Sequence, residues 1–121
     1  MIFTSYWSLA KYVPEPISIS LSQPKGFNYR EYPKLMPTWP LVRDFKRSLI
    51  SRKEYVKLYI ELIESRDTVE RFISELPTEC TLMCWEKSGE FCHRIVFARY
   101  IKKKLGIEIK EWQPLTYNLM R

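Results

Sequence analysis

The sequence predicts an α/β fold, with a small, mainly parallel sheet of about four strands flanked by helices. Three observations carry this. Short β-rich or alternating runs stand at 2–9, 16–21, 80–85 and 107–112. Apolar stripes of helical period fill the interval between the second and third runs, and a further helical segment separates the third from the fourth. The resulting order, β-β-α-α-α-β-α-β, puts helical crossovers before and after residues 80–85, as parallel pairing requires.

In chain order, "IFTSYWSL" (2–9) is short and rich in β-formers. "PISISL" (16–21) sets Ile17, Ile19 and Leu21 against Ser18 and Ser20, which is strand period. Residues 22–39, "SQPKGFNYREYPKLMPTW", carry proline and glycine breaks and the rings of Phe27, Tyr29, Tyr32 and Trp39. They read as a long ordered loop, either functional or pinned by its own rings. Six of the eight prolines lie in the first 40 residues, and none between Leu41 and Leu76, so the helical half begins near Pro40. Thr38 caps a helix over "TWPLVRDFKRSLI". Ser51 and Glu54 form a capping box for the next, whose buried face is Tyr55, Leu58, Tyr59, Leu62 and Ile63. Asp67 and Glu70 repeat that logic ahead of Val69, Phe72, Ile73 and Leu76, and Pro77 stops the third helix. "CTLMCW" (80–85) suits a buried central strand. "FCHRIVFARYIKKKLG" is a helix closed by basic residues and Gly106, and "IEIKEW" (107–112) alternates again. Residues 1–121 are expected to form one Rossmann-like domain of two or three layers.

The totals narrow the classes. The chain is 45% hydrophobic and 28% charged, as globular domains are, and no run approaches the roughly 20 apolar residues of a membrane span. No signal peptide is read at the start, and three irregularly spaced cysteines make no disulfide framework, so a reducing cytoplasm is expected. The net charge of +6 suits a polyanionic partner such as nucleic acid, and equally suits plain solubility.

The densest chemistry is "CWEKSGEFCHR" (84–94), with two of the three cysteines, the single histidine, two glutamates and an arginine. Between a strand and a helix, it lies at the carboxyl end of the sheet, where open α/β folds bind ligands. A helix N-terminus there favours an anion. Arg94 would add a forked donor pair for phosphate, Cys92 sits where a thiolate is stabilised, and Glu86 or His93 would move a proton. Cys84 or Cys92 would serve as nucleophile. Ser5, Tyr6, Ser18 and Ser20, near neighbouring strand ends, would complete the pocket.

Known loops do not fit. A phosphatase-type thiolate loop counted from Cys84 reaches Gly89 and Glu90 where it needs arginine. Gly26, Gly89 and Gly106 make neither a glycine-rich phosphate loop nor a nucleophile elbow, and no cofactor is expected. No metal is expected either. Cys80 and Cys84 would lie about 13 Å apart on a strand rising about 3.3 Å per residue. Cys92 and His93, adjacent on a helix, point about 100° apart. Taken singly, each residue has a plain structural reading: packed cysteines, a carbonyl-capping histidine, a Glu86–Arg94 ion pair.

The stretch "LMCWEKSGEFCHRIVFARYI", followed by "GIEIKEW", resembles the Cys-x-Glu … Cys-His-Arg signature of a bacterial, archaeal and phage family known as domain of unknown function 488. "FTSYWSL", "ISISLSQP" and "LMPTW" look like its short members, so the likeness spans nearly the whole chain. The resemblance implies a compact α/β fold and matches Cys84, Glu86, Cys92, His93 and Arg94, with a tryptophan near Trp39 and a lysine near Lys46. Trp85 stands where many relatives carry Tyr or Phe. It implies no reaction.

Three readings follow. One is an enzyme acting on a phosphate-bearing small molecule, most plausibly a nucleotide, or on nucleic acid, with no membrane partner. The second is a nucleic-acid-binding module using Arg43, Lys46, Arg47, Arg52, Lys53 and Lys102–Lys104, with the rings of 27–39 as stacking platforms. The third is an interaction protein whose motif is structural.

Overall fold

The computed structural model describes residues 1–112 and 114. Five parallel strands form one sheet: β1 (Ile2–Tyr6), β2 (Pro16–Ser18), β3 (Arg30–Glu31), β4 (Cys80–Cys84) and β5 (Lys110–Glu111), in the order β3-β2-β4-β1-β5. The helices are α1 (Trp39–Lys46), α2 (Arg52–Glu64), α3 (Val69–Glu75) and α4 (His93–Leu105). The fold is therefore α/β with a parallel sheet, as the element order predicts.

Direction of travel explains the layering. From β1 the chain moves across β4 to β2 and on to β3, then reverses through α1–α3 to β4 and through α4 to β5. Right-handed crossovers running in opposite directions fall on opposite faces of a sheet. Accordingly, Leu41, Tyr59, Phe72 and Phe97, one from each helix, join Ile17, Ile19 and Leu82 in the main core on one face. On the other face Trp7, Leu9, Ala10, Val13 and Met83 form a smaller cluster beneath the β1–β2 connection. Among the described residues the α-helices thus make one layer. No described helix is long and apolar enough to cross a membrane.

Several local expectations shift. β1 stops at Tyr6 and a 3-10 turn, Trp7–Leu9, takes over; β2 stops at Ser18, and β5 keeps only two residues. β3 lies inside the predicted loop, where two exposed charged residues give no apolar rhythm to read; Ile17 pairs with Arg30 and Ser18 with Glu31. Thr38 and the Ser51–Glu54 capping box cap α1 and α2 as expected. The third cap is Thr68, whose hydroxyl accepts from the Arg71 amide, because the Asp67 carboxylate is taken by Lys34 and the Thr68 amide. On α2 the buried line is Tyr55, Tyr59 and Ile63, while Leu58 is exposed. The partly buried Val56 and Ile60 take the flank instead, turned toward the groove that α2 makes with α4.

The segment leading to α1 is held tightly. One Arg66 nitrogen donates to the carbonyls of Pro33, Lys34 and Met36 at 3.0, 3.0 and 2.6 Å, and the Tyr59 hydroxyl donates to that of Leu35 at 2.6 Å. Lys34 bridges Asp67 at 2.6 Å and Glu75 at 2.8 Å. Hydrogen bonds from Lys34 hold both carboxyls below their usual range, with the Thr68 amide helping at Asp67 and the Tyr32 hydroxyl at Glu75. A carboxylate depressed in the folded state contributes stability above its ordinary pKa, which is lost as pH falls through the folded value. Lys34→Met is therefore expected to weaken the protein at neutral pH and to flatten the loss of stability below about pH 4. Urea midpoints measured against pH check both, and an unchanged acid limb would show that the bridge contributes nothing.

Candidate functional site

The site lies where neighbouring strands send their chains to opposite faces, the switch point at which open sheets form a crevice. β4 ends at Cys84, the loop 85–92 turns at Gly89 (φ +90°), and α4 begins after Cys92. The turn needs glycine because an L side chain is strained at that φ. Phe91 anchors the loop between Phe45 and Tyr55, with ring centroids 5.2 and 5.5 Å away, and Trp85 donates its indole N–H to the Ser22 carbonyl at 3.0 Å. At the far end Gly106, at φ +71°, closes α4 in the left-handed conformation.

The loop brings the two sulfurs together. Cys84 Sγ and Cys92 Sγ are 3.3 Å apart, and both residues are free thiols. Behind them lies Arg94, fully buried. Its Nη1 donates to Cys84 Sγ at 2.8 Å and Cys92 Sγ at 3.2 Å, while Nε and Nη2 donate to the Glu111 carboxylate at 3.0 and 2.8 Å. Thr4 and Ser88 hydroxyls each donate to Glu111 at 2.6 Å. Burial pushes the Cys84 thiol up, whereas the hydrogen bond from Cys84 and the nearby guanidinium pull Cys92 down. Negative charge in the pair is thus favoured on Cys92, with Arg94 as its counter-ion.

In front of the sulfurs opens a cleft of about 520 Å³. Its floor includes Cys84, Cys92 and His93, its walls Tyr55, Phe91 and Ser20, and its rim Trp39, Lys46, Trp85 and Glu86. Trp39 is 61% exposed and Trp85 48%. Among the described residues, the Glu86 carboxylate has no hydrogen bond or ion pair. It shares with the two sulfurs a cluster whose donor atoms all lie within 4.8 Å of one another. A second hollow, about 420 Å³ between α2 and α4, has Val56, Ile60, Ile95 and Tyr100 among its lining residues and no cysteine among them.

The predicted site residues divide accordingly. Cys84, Glu86, Cys92, His93, Ser20, Trp39 and Lys46 meet around the cleft. Arg94 lies behind the thiols with its donors engaged, so the expected fork toward a substrate phosphate has no open donor face here. Nor does it pair with Glu86; its carboxylate is Glu111. His93 is buried, and its Nε2 donates to the Ile19 carbonyl at 2.7 Å. Burial pushes this imidazole down to about 4, so it is neutral at pH 7 and ties α4 to the end of β2. Ser5 donates to the Trp112 carbonyl at 3.3 Å, Ser18 bonds Ser20, and Tyr6 packs on the smaller core cluster; these three do not line the cleft. The sequence reading missed Glu111, Tyr55 and Phe91. A signal for Glu111 was present, since strand alternation puts it in phase with Ile107 and Ile109, an acidic residue on an apolar phase.

With the Cys-x-Glu … Cys-His-Arg residues in one place, comparison with known families becomes informative. The family model described as "Domain of unknown function DUF488" matches residues 16–101. The chain belongs to this family. The match runs from β2 into α4 and so contains the whole thiol loop, while β1 and Glu111 lie outside it. No curated protein and no solved structure matches the chain.

Proposed function

We propose that the protein is an enzyme acting on a nucleotide or a nucleic-acid strand bound in this cleft. One observation carries the reading: two sulfurs on the floor of a cleft cluster with a carboxylate that has no partner among the described residues, and the rim beside it presents exposed indoles and a lysine. A base stacks against Trp39 or Trp85, Lys46 meets the phosphate, and the bond that changes lies over Cys84, Glu86 and Cys92. His93 positions α4 rather than moving a proton, and Arg94 sets the charge of the sulfurs. A plain binding module gains less support. Phe27 and Tyr29 pack on Trp7, with centroids at 5.9 and 6.0 Å, though Phe27 stays exposed, and Tyr32 is buried with its hydroxyl on Glu75; of the expected stacking rings Trp39 alone lines the cleft.

Calorimetric titration with mononucleotides and a short single-stranded oligonucleotide tests this. Trp39→Ala is expected to weaken binding by about tenfold or more, in line with about 1–3 kcal/mol per stacked base. Lys46→Ala should weaken binding and flatten its salt dependence. Folded protein that binds none of these ligands, or binds them equally well in both variants, refutes the proposal.

A further inference from the structure

We infer that the cleft contains a metal site in which Cys84 and Cys92 on its floor and Glu86 above them hold one zinc-class divalent ion, with its fourth position open to the cleft. The placement of this ion rests on the residues alone; its use on a nucleotide rests on the reading above.

Three features support it. The first is distance. Zinc bonds of about 2.3 Å to sulfur and about 2.1 Å to oxygen set tetrahedral ligand atoms about 3.6–3.8 Å apart. The sulfurs stand at 3.3 Å and the whole set within 4.8 Å, which brackets that geometry. Small side-chain shifts suffice to close it, because Glu86 is only partly buried and has no competing partner among the described residues.

The second is charge. As ligands both sulfurs are thiolates, so with the carboxylate the set carries three negative charges in a largely buried place, which only a bound cation makes tenable. Arg94 supplies one, but Glu111 already neutralises it. A dication brings the balance close to neutral. Two thiolates also select a borderline-soft ion over magnesium or calcium, which take oxygen ligands.

The third is the outer arrangement. Metal-bound thiolates and imidazoles are oriented by donors and carboxylates behind them. Here the guanidinium donates to both sulfurs from the side away from the cleft, and it is itself fixed by Glu111, Thr4 and Ser88. The sulfurs keep their remaining lone pairs for the front, where Glu86 completes a three-residue set. Three protein ligands and one open position are the pattern of catalytic rather than structural zinc. A water, or an oxygen of the bound phosphate, fills the fourth position. Cys80 and His93, which spacing along the strand and around the helix keeps from sharing an ion with their neighbours, both stay out: Cys80 is at the other end of β4, and His93 bonds Ile19.

Cobalt(II) is the probe. Reduced, chelator-treated protein is titrated with Co²⁺ and then with Zn²⁺. The expected result is one Co²⁺ per chain, with a near-ultraviolet thiolate-to-cobalt charge-transfer band and visible bands of tetrahedral intensity, all abolished by one equivalent of Zn²⁺. Glu86→Gln, on the partly exposed loop, should keep the fold and weaken cobalt binding beyond the about 10–100-fold typical of outer-shell changes. Cys80→Ser should leave the band unchanged. Should Cys84→Ser or Cys92→Ser misfold, protection of two wild-type thiols from alkylation by bound Zn²⁺ reports the same ligation. A folded, reduced wild type that gives no charge-transfer band overturns the site. So does a band that survives Glu86→Gln at full affinity, or a Cys84–Cys92 disulfide formed in air by protein that shows no band when reduced. Nucleotide titrations of metal-free and metal-loaded protein separate the two proposals. Metal uptake without nucleotide binding refutes the cleft's occupant alone, and nucleotide binding without metal uptake refutes the metal alone.

Discussion

Replacing Arg94 by alanine is expected to cost about 3–5 kcal/mol, the usual consequence of removing one partner from a buried ion pair. The side chain has no exposure and its carboxylate partner 21%, so Glu111 would be left largely shielded with only the Thr4 and Ser88 hydroxyls. The size follows from the orphaned charge rather than from the strength of the pair itself. Arg94→Ala combined with Glu111→Ala should therefore recover part of the loss, because no buried carboxylate remains. Urea denaturation of the two single variants and the double variant gives the coupling. Additive losses would mean that the guanidinium acts mainly through packing and the sulfurs. Arg94→Lys is not a rescue, since an ammonium offers no planar fork to span Glu111 and both thiols.

The second large effect is expected at Phe97. It is fully buried on α4 and meets Phe72 of α3 edge-on, with centroids 6.2 Å apart. Truncation to alanine removes the ring and leaves a cavity, which costs about 3–5 kcal/mol in closely packed cores. Phe97→Leu, nearer in volume, should lose much less. The consequence reaches the site, because α4 carries Cys92 at its cap and Arg94 in its first turn. Phe97→Ala should therefore raise the reactivity of the thiols toward an alkylating reagent under conditions where most of the protein remains folded. Thiol labelling at a fixed, sub-denaturing urea concentration measures this. Unchanged labelling would show that the loop is held by Phe91 and Trp85 without help from the seating of the helix.

What the sequence disclosed follows from the range of each interaction. Helix caps and apolar stripes are local, so Thr38, Ser51 and Glu54 are read directly, as are Gly106 and the apolar run of β4. The error of one residue at Thr68 has a distant cause: Asp67 is drawn off by Lys34, 33 residues away. β3 escapes notice because two exposed charged residues owe their strand state entirely to pairing with β2. The site behaves likewise. Strand end, loop and helix start are contiguous, so Cys84, Glu86, Cys92 and His93 could be grouped in advance. Which way each side chain faces depends on long-range partners. Arg94 faces the sulfurs rather than the cleft because Glu111 holds it from 17 residues downstream, and His93, kept neutral by burial, spends its ring N–H on the Ile19 carbonyl 74 residues upstream.

The Arg94–Glu111 pair also bears on the order of events in synthesis. Chains fold from the N-terminus as they emerge, and Glu111 lies on β5, which follows the other described strands in the chain. Cys84 and Cys92 leave the ribosome before the carboxylate that orients their guanidinium, and β5 must dock on β1, the earliest of the described strands, to deliver it. The nascent chain therefore holds a thiol pair whose electrostatic setting is incomplete until β5 has met β1. The electrostatic setting of the two sulfurs is thus a late product of folding, complete only when β5 closes against β1.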